Sequence, residues 1–159
     1  MGWIDGLRGK RVGVDTAPFI YFIEKHPRYV DMMRIFIKAV NEGEITAFTS
    51  VMTLLETLVV PLRRGDQKLV QQCRNILSDS PGFTTVAFES DIAEEAARLR
   101  AIYNIRTPDA VQIATAIKTN ASILLTNDLD LPAISELQII TLDGLLNQDS
   151  HEQSKEKPS

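Results

Sequence analysis

The chain of 159 residues is 44% hydrophobic and 24% charged, which are the proportions of one ordinary globular domain. Its net charge of −4 argues against a protein that holds nucleic acid mainly by bulk electrostatics, although it leaves room for a nuclease with an acidic pocket and a local basic rim. One cysteine and two histidines exclude an internal disulfide and a Cys- or His-rich metal site, and the lack of a long apolar run predicts a cytoplasmic protein without membrane contact.

The first part of the chain alternates strand-like and helix-like segments. Residues 11–15 (RVGVD) predict a short buried strand, and residues 17–25 switch to helical content. The next segment, residues 28–44, has apolar residues at the i, i+3, i+4, i+7 and i+8 spacing of an amphipathic helix. Residues 45–50 (ITAFTS) then predict a second strand.

The middle of the chain predicts two helices, a strand and a further helix. Ser50 is a suitable N-cap for the first helix, and Pro61 is expected to kink or end it. Asp66 is expected to cap the second, amphipathic helix. Residues 82–88 predict the third strand, and residues 89–104 predict a helix with one apolar stripe.

The last part predicts a helix from residue 107, a strand at 121–127 and a final strand at 137–142. The whole order, β-α-α-β-α-α-β-α-α-β-β, favours an α/β fold with a mainly parallel sheet of four to five strands and helices on both faces. This domain is expected to span residues 1–146, and the polar tail at 147–159 is expected to be disordered.

Acidic residues stand at points where such a fold forms sites, outside the carboxyl ends of the strands. Asp15 ends the first strand and Asp128 follows the fourth. Asp109 lies in the first turn of a helix, in the sequence TPDA, where Thr107 is a good N-cap. Each has an ordinary alternative role: Asp15 as the cap of the next helix, Asp109 as a charge that complements the helix dipole, and Asp128 as a turn residue.

Glu56 is a carboxylate inside a strongly apolar helix, where burial is costly unless the charge is paired or binds a metal. Alternatively it faces solvent on a narrow polar stripe with Thr53 and Thr57. If several of these acids meet at one edge, they repel one another, and a divalent cation with a preference for oxygen ligands would relieve the repulsion. The combination therefore favours a Mg²⁺ or Mn²⁺ site over four separate structural roles.

The chain resembles a PIN-domain ribonuclease, and more narrowly the VapC-type toxins of bacterial toxin–antitoxin pairs. The resemblance rests on VGVDTAPFIYFIE, TSVMTLLETL, RTPDAVQIATAI and LLTNDLDL, in that order, between about residues 11 and 142. It implies a three-layer α/β/α sandwich whose acids bind Mg²⁺ or Mn²⁺ for RNA hydrolysis. In it Asp15, Glu56 and Asp109 would form the catalytic metal site, which Asp128 would complete.

The same resemblance implies supporting roles for further residues. Thr16 and Thr126 would orient the carboxylates that bind the metal. Asp130 would either assist the metal site or only shape its loop. Basic side chains would have to steer the RNA backbone toward an acidic pocket. Arg63 and Arg64, after the helix of Glu56, and Arg106, before that of Asp109, are candidates, although each has the alternative of an ordinary solvated charge.

Partners and rival functions follow from the same reading. The resemblance implies an antitoxin partner and a homodimer, besides the RNA substrate. The first rival is a PIN fold that has lost its chemistry and binds RNA or a protein, against which the presence of all four acids speaks. The second is a metal-dependent phosphatase, which would carry an Asp-x-Asp pair where Ala17 stands two residues after Asp15. A nucleotide-binding loop is not expected, because no Gly-rich phosphate motif follows Asp15.

Overall fold

The structure is a computed structural model that describes residues 2–156, with side chains as far as residue 150. After a short 3₁₀ helix at Trp3–Leu7, the strands are β1 Arg11–Val14, β2 Thr46–Ser50, β3 Phe83–Val86, β4 Ile123–Thr126 and β5 Gln138–Thr141. The helices are α1 Thr16–Ile23, α2 Val30–Asn41, α3 Val51–Arg64, α4 Gln67–Asp79, α5 Ser90–Ile102, α6 Thr107–Lys118 and α7 Leu142–Glu156. Within the described residues no helix is long and apolar enough to span a membrane.

All five strands form one parallel sheet in the order β3-β2-β1-β4-β5, which confirms the predicted α/β architecture. Val12 and Val14 of β1 are fully buried because β1 lies between β2 and β4 with helices on both faces. The chain moves outward from β1 in one direction through β2 and β3, and in the other through β4 and β5. The space beyond the carboxyl ends of β1 and β4 is therefore the topological switch point where such sheets form sites.

Two hydrophobic clusters cover the two faces of the sheet. One joins the sheet to α1, α2, α4 and the start of α7, and the other joins it to α5 and α6. Gly13 of β1 lets α6 approach closely, because a Cβ at this position would lie 2.8 Å from the Cβ of Ala116. A side chain at Gly13 would push α6, the helix that carries Asp109, away from the sheet.

Helix α3 does not end at Pro61, which excludes one of the two effects expected of this proline, and the predicted Ser50 cap is present and accepts a hydrogen bond from the Met52 amide. Proline has no N–H for the Thr57 carbonyl one turn earlier. The Cys73 thiol of α4 faces that carbonyl at 3.9 Å and partly replaces the missing donor. The helix continues to Arg64 and ends at Gly65, whose φ of 66° is the left-handed conformation of a C-cap.

Helix α7 runs from Leu142 into the polar segment that begins at residue 147. Leu142 and Leu145 bury the start of this helix, and the Asp149 carboxylate accepts a hydrogen bond of 3.1 Å from the Trp3 amide. The helix is described as far as Glu156, and residues 157–159 lie outside the described part.

Candidate active site

The four acids predicted to act together come from four elements that all reach the carboxyl edge of the sheet. Asp15 directly follows β1, and Asp128 lies two residues beyond β4. Helix α6 leads into β4 and runs antiparallel to it, so its first turn, with Asp109, lies at the same edge. Helix α3 begins at this edge after β2, and Glu56 lies about 9 Å along its axis.

One open pocket of about 620 Å³ lies at this edge. Its polar and charged lining contains all four predicted acids together with the neighbours Thr16, Asn104, Arg106, Asn127 and Asp130. None of the described residues that line it is a histidine or a lysine. The pocket therefore concentrates negative charge around a single arginine.

Asp15 is held on both carboxylate oxygens. The Thr16 amide donates to Oδ1 at 2.8 Å, and the Thr126 hydroxyl donates to Oδ2 at 2.8 Å. Burial raises the pKa of the Asp15 carboxyl; the two hydrogen bonds oppose this shift, and the nearby charges of Asp109 and Asp128 add to it. Asp15 is also the N-cap residue of α1, so the expected cap is present in a residue that lines the pocket.

Glu56 faces the pocket rather than only the solvent. Its Oε1 accepts a hydrogen bond of 3.3 Å from the Thr16 hydroxyl. Partial burial raises the pKa of the Glu56 carboxyl, the Thr16 bond lowers it, and the charges of Asp15 and Asp109 raise it further. The carboxylates of Glu56 and Asp15 are thus electrostatically unfavourable neighbours that share Thr16.

Asp109 forms an ion pair with Arg106, whose Nε lies 3.3 Å from Oδ2. The aspartate side chain is only 12% exposed, whereas that of Arg106 is 78% exposed. The N-cap of α6 is Arg106 and not the expected Thr107. The Thr107 hydroxyl instead accepts a hydrogen bond from Arg100 Nη1 at 2.9 Å, so it does not serve the helix terminus.

Asp128 and Asp130 lie in one tight loop. The Asp128 amide donates to the Thr126 hydroxyl at 3.1 Å, and the Asp130 amide donates to Asp128 Oδ1 at 2.9 Å. Asp128 is therefore both a turn former and a pocket residue, and Thr126 links it to Asp15. Asp130 lines the pocket but is exposed.

Asn127 connects the loop after β4 to two other parts of the chain. Its Nδ2 lies 3.3 Å from the Tyr21 hydroxyl, and its Oδ1 accepts from the Asp143 amide at 3.2 Å. It thereby ties the loop after β4 to α1 and to the start of α7. The sequence offers no local signal for these contacts, since both partners are distant along the chain.

Gln112 also escaped the sequence analysis. It is 3% exposed and forms hydrogen bonds to Thr16 and Thr53 behind the pocket. A signal was present: Gln112 is a polar residue inside AVQIATA, a helical segment that is buried all round. Such a helix lies in the core, and its polar residue must find a partner.

The donor set suits a hard divalent cation, because every candidate ligand is a carboxylate oxygen. Burial is the main cause of the raised pKa values of Asp15 and Glu56, the neighbouring acids add to it, and a bound cation would offset both. Among the described residues no three acidic, histidine or cysteine side chains are already arranged as a metal cage. Arg106 meanwhile balances part of the charge by pairing with Asp109.

The predicted RNA-binding arginines are not all at the pocket. Arg106 lines it. Arg63 and Arg64 are exposed in the last turn of α3, about 10–12 Å along the helix from Glu56, and do not line it. Only an RNA that extends beyond the pocket could contact all three.

Comparison with known proteins agrees with this geometry. The sequence profile of the PIN domain matches residues 12–137. None of the curated proteins matches the chain. Because the profile covers most of the chain, it carries the family assignment.

Similar solved structures include complexes from three bacteria. A toxin–antitoxin complex from Klebsiella pneumoniae is 23% identical with a TM-score of 0.62, over 82% of this chain and 96% of that chain. VapBC2 from Rickettsia felis, bound to a DNA fragment from its promoter, is 20% identical with a TM-score of 0.65, over 84% of this chain and 99% of that chain. DNA-bound VapBC from Salmonella typhimurium is 14% identical with a TM-score of 0.56, over 83% of this chain and 97% of that chain. At these identities the likeness establishes the fold, and with the profile it shows that this chain belongs to the PIN domain family.

Proposed function

We propose that the protein is a Mg²⁺- or Mn²⁺-dependent endoribonuclease that hydrolyses RNA phosphodiester bonds, as the toxin of a type II toxin–antitoxin pair. The observation that carries the proposal is the convergence of four carboxylates from four separate elements on one open pocket. Membership of the PIN domain family supports the nuclease, and the matched toxin–antitoxin complexes support the toxin.

Asp15, Glu56, Asp109 and Asp128 would hold the metal. When bound, the ion would supply a more acidic water and stabilise charge on the phosphate. Thr126 holds Asp15 through a hydroxyl hydrogen bond, and Thr16 holds both Asp15 and Glu56. Since the pocket lining contains no histidine or lysine, a proton-accepting side chain there would be one of the carboxylates.

Arg106 would change partners as the site is loaded. In the metal-free protein it pairs with Asp109, and its exposed guanidinium can reach an incoming phosphate. Arg63 and Arg64 would contact RNA farther from the scissile bond. Replacing Arg106 with Ala is therefore expected to raise KM for RNA more than the same change at Arg64.

Cleavage of a panel of single-stranded and structured RNAs by purified protein tests the enzyme. The reactions contain Mg²⁺, Mn²⁺ or chelator, beside an Asp109→Asn variant as the matched control. We expect metal-dependent cutting by the wild type that the variant lacks. If neither the wild type nor the variant cleaves any RNA with either metal, the chain is instead an inactive PIN-fold module that binds RNA or a partner protein.

A second copy of the chain would cover the outer stripe of α3, formed by Val51, Leu55, Leu58 and Leu62. Their spacing of four, three and four residues is that of a helix–helix seam, yet Leu55 is 64% exposed and Leu62 is 54% exposed. The exposed Phe88 extends the apolar surface beside them. A two-fold contact would pair this stripe with itself, as symmetric dimers do.

The oligomeric state tests the dimer. The wild type is expected to elute with the mass of two chains in light scattering, and Leu55→Glu with the mass of one. Ile102→Glu, at an equally exposed apolar residue on α5, is the matched control and should leave the dimer intact. A monomeric wild type would contradict the proposal.

An antitoxin segment would lie across α1, α3 and α4 and place one apolar side chain against a small furrow of about 30 Å³, which is lined by Ile20, Ile23, Val60 and Leu69. Glu56 lines both this furrow and the acidic pocket, so a segment bound there would reach the active site. Co-purification with the product of a neighbouring small gene, and loss of cleavage when both are mixed, test this part. Cleavage that persists in the complex would contradict it.

A further inference from the structure

A buried polar network lies directly behind the acidic pocket. Its members are Thr16 of α1, Thr49 of β2, Thr53 of α3 and Gln112 of α6, and each is at most 6% exposed. We call these four side chains the hydroxyl–amide network. Buried polar groups are costly without partners, and no buried side-chain nitrogen or oxygen in the described part of the chain lacks one.

The proton of each hydroxyl in the network has a defined direction. Thr49 donates to the Val14 carbonyl at 2.7 Å, which uses its only proton. In the contact of 2.7 Å between Thr49 and Thr53, the donor must therefore be Thr53. The proton of Thr53 is then spent, so Thr53 can only accept from its other neighbours.

The orientation of the Gln112 amide follows from the Ser50 backbone. The Ser50 amide can only donate, and it faces Gln112 Oε1 at 3.4 Å, so Nε2 must face the threonines. Nε2 donates to the hydroxyls of Thr53 at 2.8 Å and Thr16 at 3.3 Å. Gln112 is thus the only side chain in the network that supplies protons without accepting one from another member.

The proton of Thr16 is the last to be placed. Its possible acceptors are Thr53 at 3.1 Å and the Glu56 carboxylate at 3.3 Å. A charged carboxylate is the stronger acceptor, so the proton goes to Glu56. The donor chain therefore runs from Gln112 through Thr16 to Glu56, from the core to the pocket.

We infer that Gln112 is a positioning residue, whose amide fixes the Thr16 hydroxyl as a donor to Glu56 and so holds that carboxylate toward the pocket. Gln112 does not line the pocket itself. Its catalytic consequence rests on the proposed function, whereas the coupling to Glu56 is a property of the metal-free protein. The two can be tested separately.

The coupling is measured by a double-mutant cycle in metal-free protein. Gln112→Met removes both donors at similar length, and Glu56→Ala removes the acceptor, although the two side chains do not touch. We expect their effects on the unfolding equilibrium constant to deviate from multiplicative behaviour by a factor of about 2 or more. In a Thr16→Val background the deviation should vanish, because the connecting hydroxyl is gone.

The functional consequence is measured by Mn²⁺ binding in a calorimeter and by RNA cleavage. Gln112→Met should weaken Mn²⁺ binding by about 10-fold and lower kcat, with KM for RNA unchanged, as expected for a group behind a metal ligand. Thr115→Val is the matched control, since it deletes a buried hydroxyl of the same helix that bonds only to the Val111 carbonyl. It should leave both quantities unchanged.

The outcomes separate the positioning role from the proposed function. Multiplicative effects of Gln112→Met and Glu56→Ala would overturn the positioning role, even in an active ribonuclease. Non-multiplicative effects that vanish in the Thr16→Val background would support it, even if the wild type neither bound Mn²⁺ nor cut RNA, and that silence would instead overturn the proposed function.

Discussion

The carboxylates of the acidic pocket and those of the outer surface are in opposite electrostatic states. In the pocket, burial and neighbouring acids raise the pKa values of Asp15 and Glu56. On the surface, Asp143 accepts hydrogen bonds from the Tyr29 hydroxyl at 2.5 Å and from Arg28 at 3.2 Å, and its pKa is lowered. Glu95 is likewise paired with Arg98, which lowers its pKa.

The difference lies in the charges beside each group. Asp143 and Glu95 each have an arginine partner, which stabilises the ionised form. Asp15 and Glu56 accept hydrogen bonds from threonines, but burial and the charges of neighbouring acids still raise their pKa values. Such an arrangement costs stability in the metal-free protein and is typical of a functional site.

The largest expected effect is on RNA cleavage. Asp15→Asn should reduce metal-dependent cleavage by about 100-fold or more, because it removes a charged metal ligand. Asp143→Asn, a matched change outside the pocket, should leave cleavage unchanged. Single-turnover rates at saturating Mn²⁺ measure both, and equal losses in the two variants would remove the distinction between the two groups of acids.

The next effect is on stabilisation by metal. At a concentration of 100 times its Kd, Mn²⁺ should stabilise the wild type by about 2.7 kcal/mol. The gain should be largely lost in Asp15→Asn and fully kept in Asp143→Asn. Thermal unfolding with and without Mn²⁺ measures it, and an unchanged Tm of the wild type over all Mn²⁺ concentrations would contradict a metal site.

A smaller effect of opposite sign is expected on the Tm of Asp15→Asn in the absence of metal. Because the pKa of Asp15 is raised in the folded protein, stability falls as the pH rises from the ordinary pKa of Asp to the folded pKa, and the full cost of the charge is present above that folded value. Asp15→Asn should therefore raise the metal-free Tm at pH 7 by roughly 2–4 °C, the change for about 1 kcal/mol in a chain of this size. The gain should fade as the pH falls below the ordinary pKa of Asp, and a gain that persisted there would have another origin.

The smallest effect is expected at the surface. The pKa of Asp143 is lowered in the folded protein, so its charge contributes stability above the ordinary pKa of Asp, and this is lost as the pH falls through the folded value. Asp143→Asn should lower stability at pH 7 by at most about 1 kcal/mol, because its partner Arg28 is exposed. Urea unfolding at pH 7 and in acid checks the sign, which must be opposite to that of Asp15→Asn.

Periodicity and composition alone determined the architecture of this protein. Apolar strand segments and helical spacing led to the parallel α/β sheet, and the edge rule placed Asp15 and Asp128 together. These inferences succeed because they depend on local patterns and on a general rule of chain topology. Ser50 and Asp66 were identified as caps for the same reason.

Tertiary contacts alone decided which alternative applied at each ambiguous residue. Glu56 faces the pocket because α3 packs beside α1, where the Thr16 hydroxyl donates a hydrogen bond to the Glu56 carboxylate. The donor chain from Gln112 to Thr16 and the contact of Trp3 with Asp149 of α7 join residues that lie far apart along the chain, and no local pattern encodes them. Side-chain hydrogen bonds are satisfied by whatever the folded chain brings within about 3 Å, so they become visible only once the elements are packed.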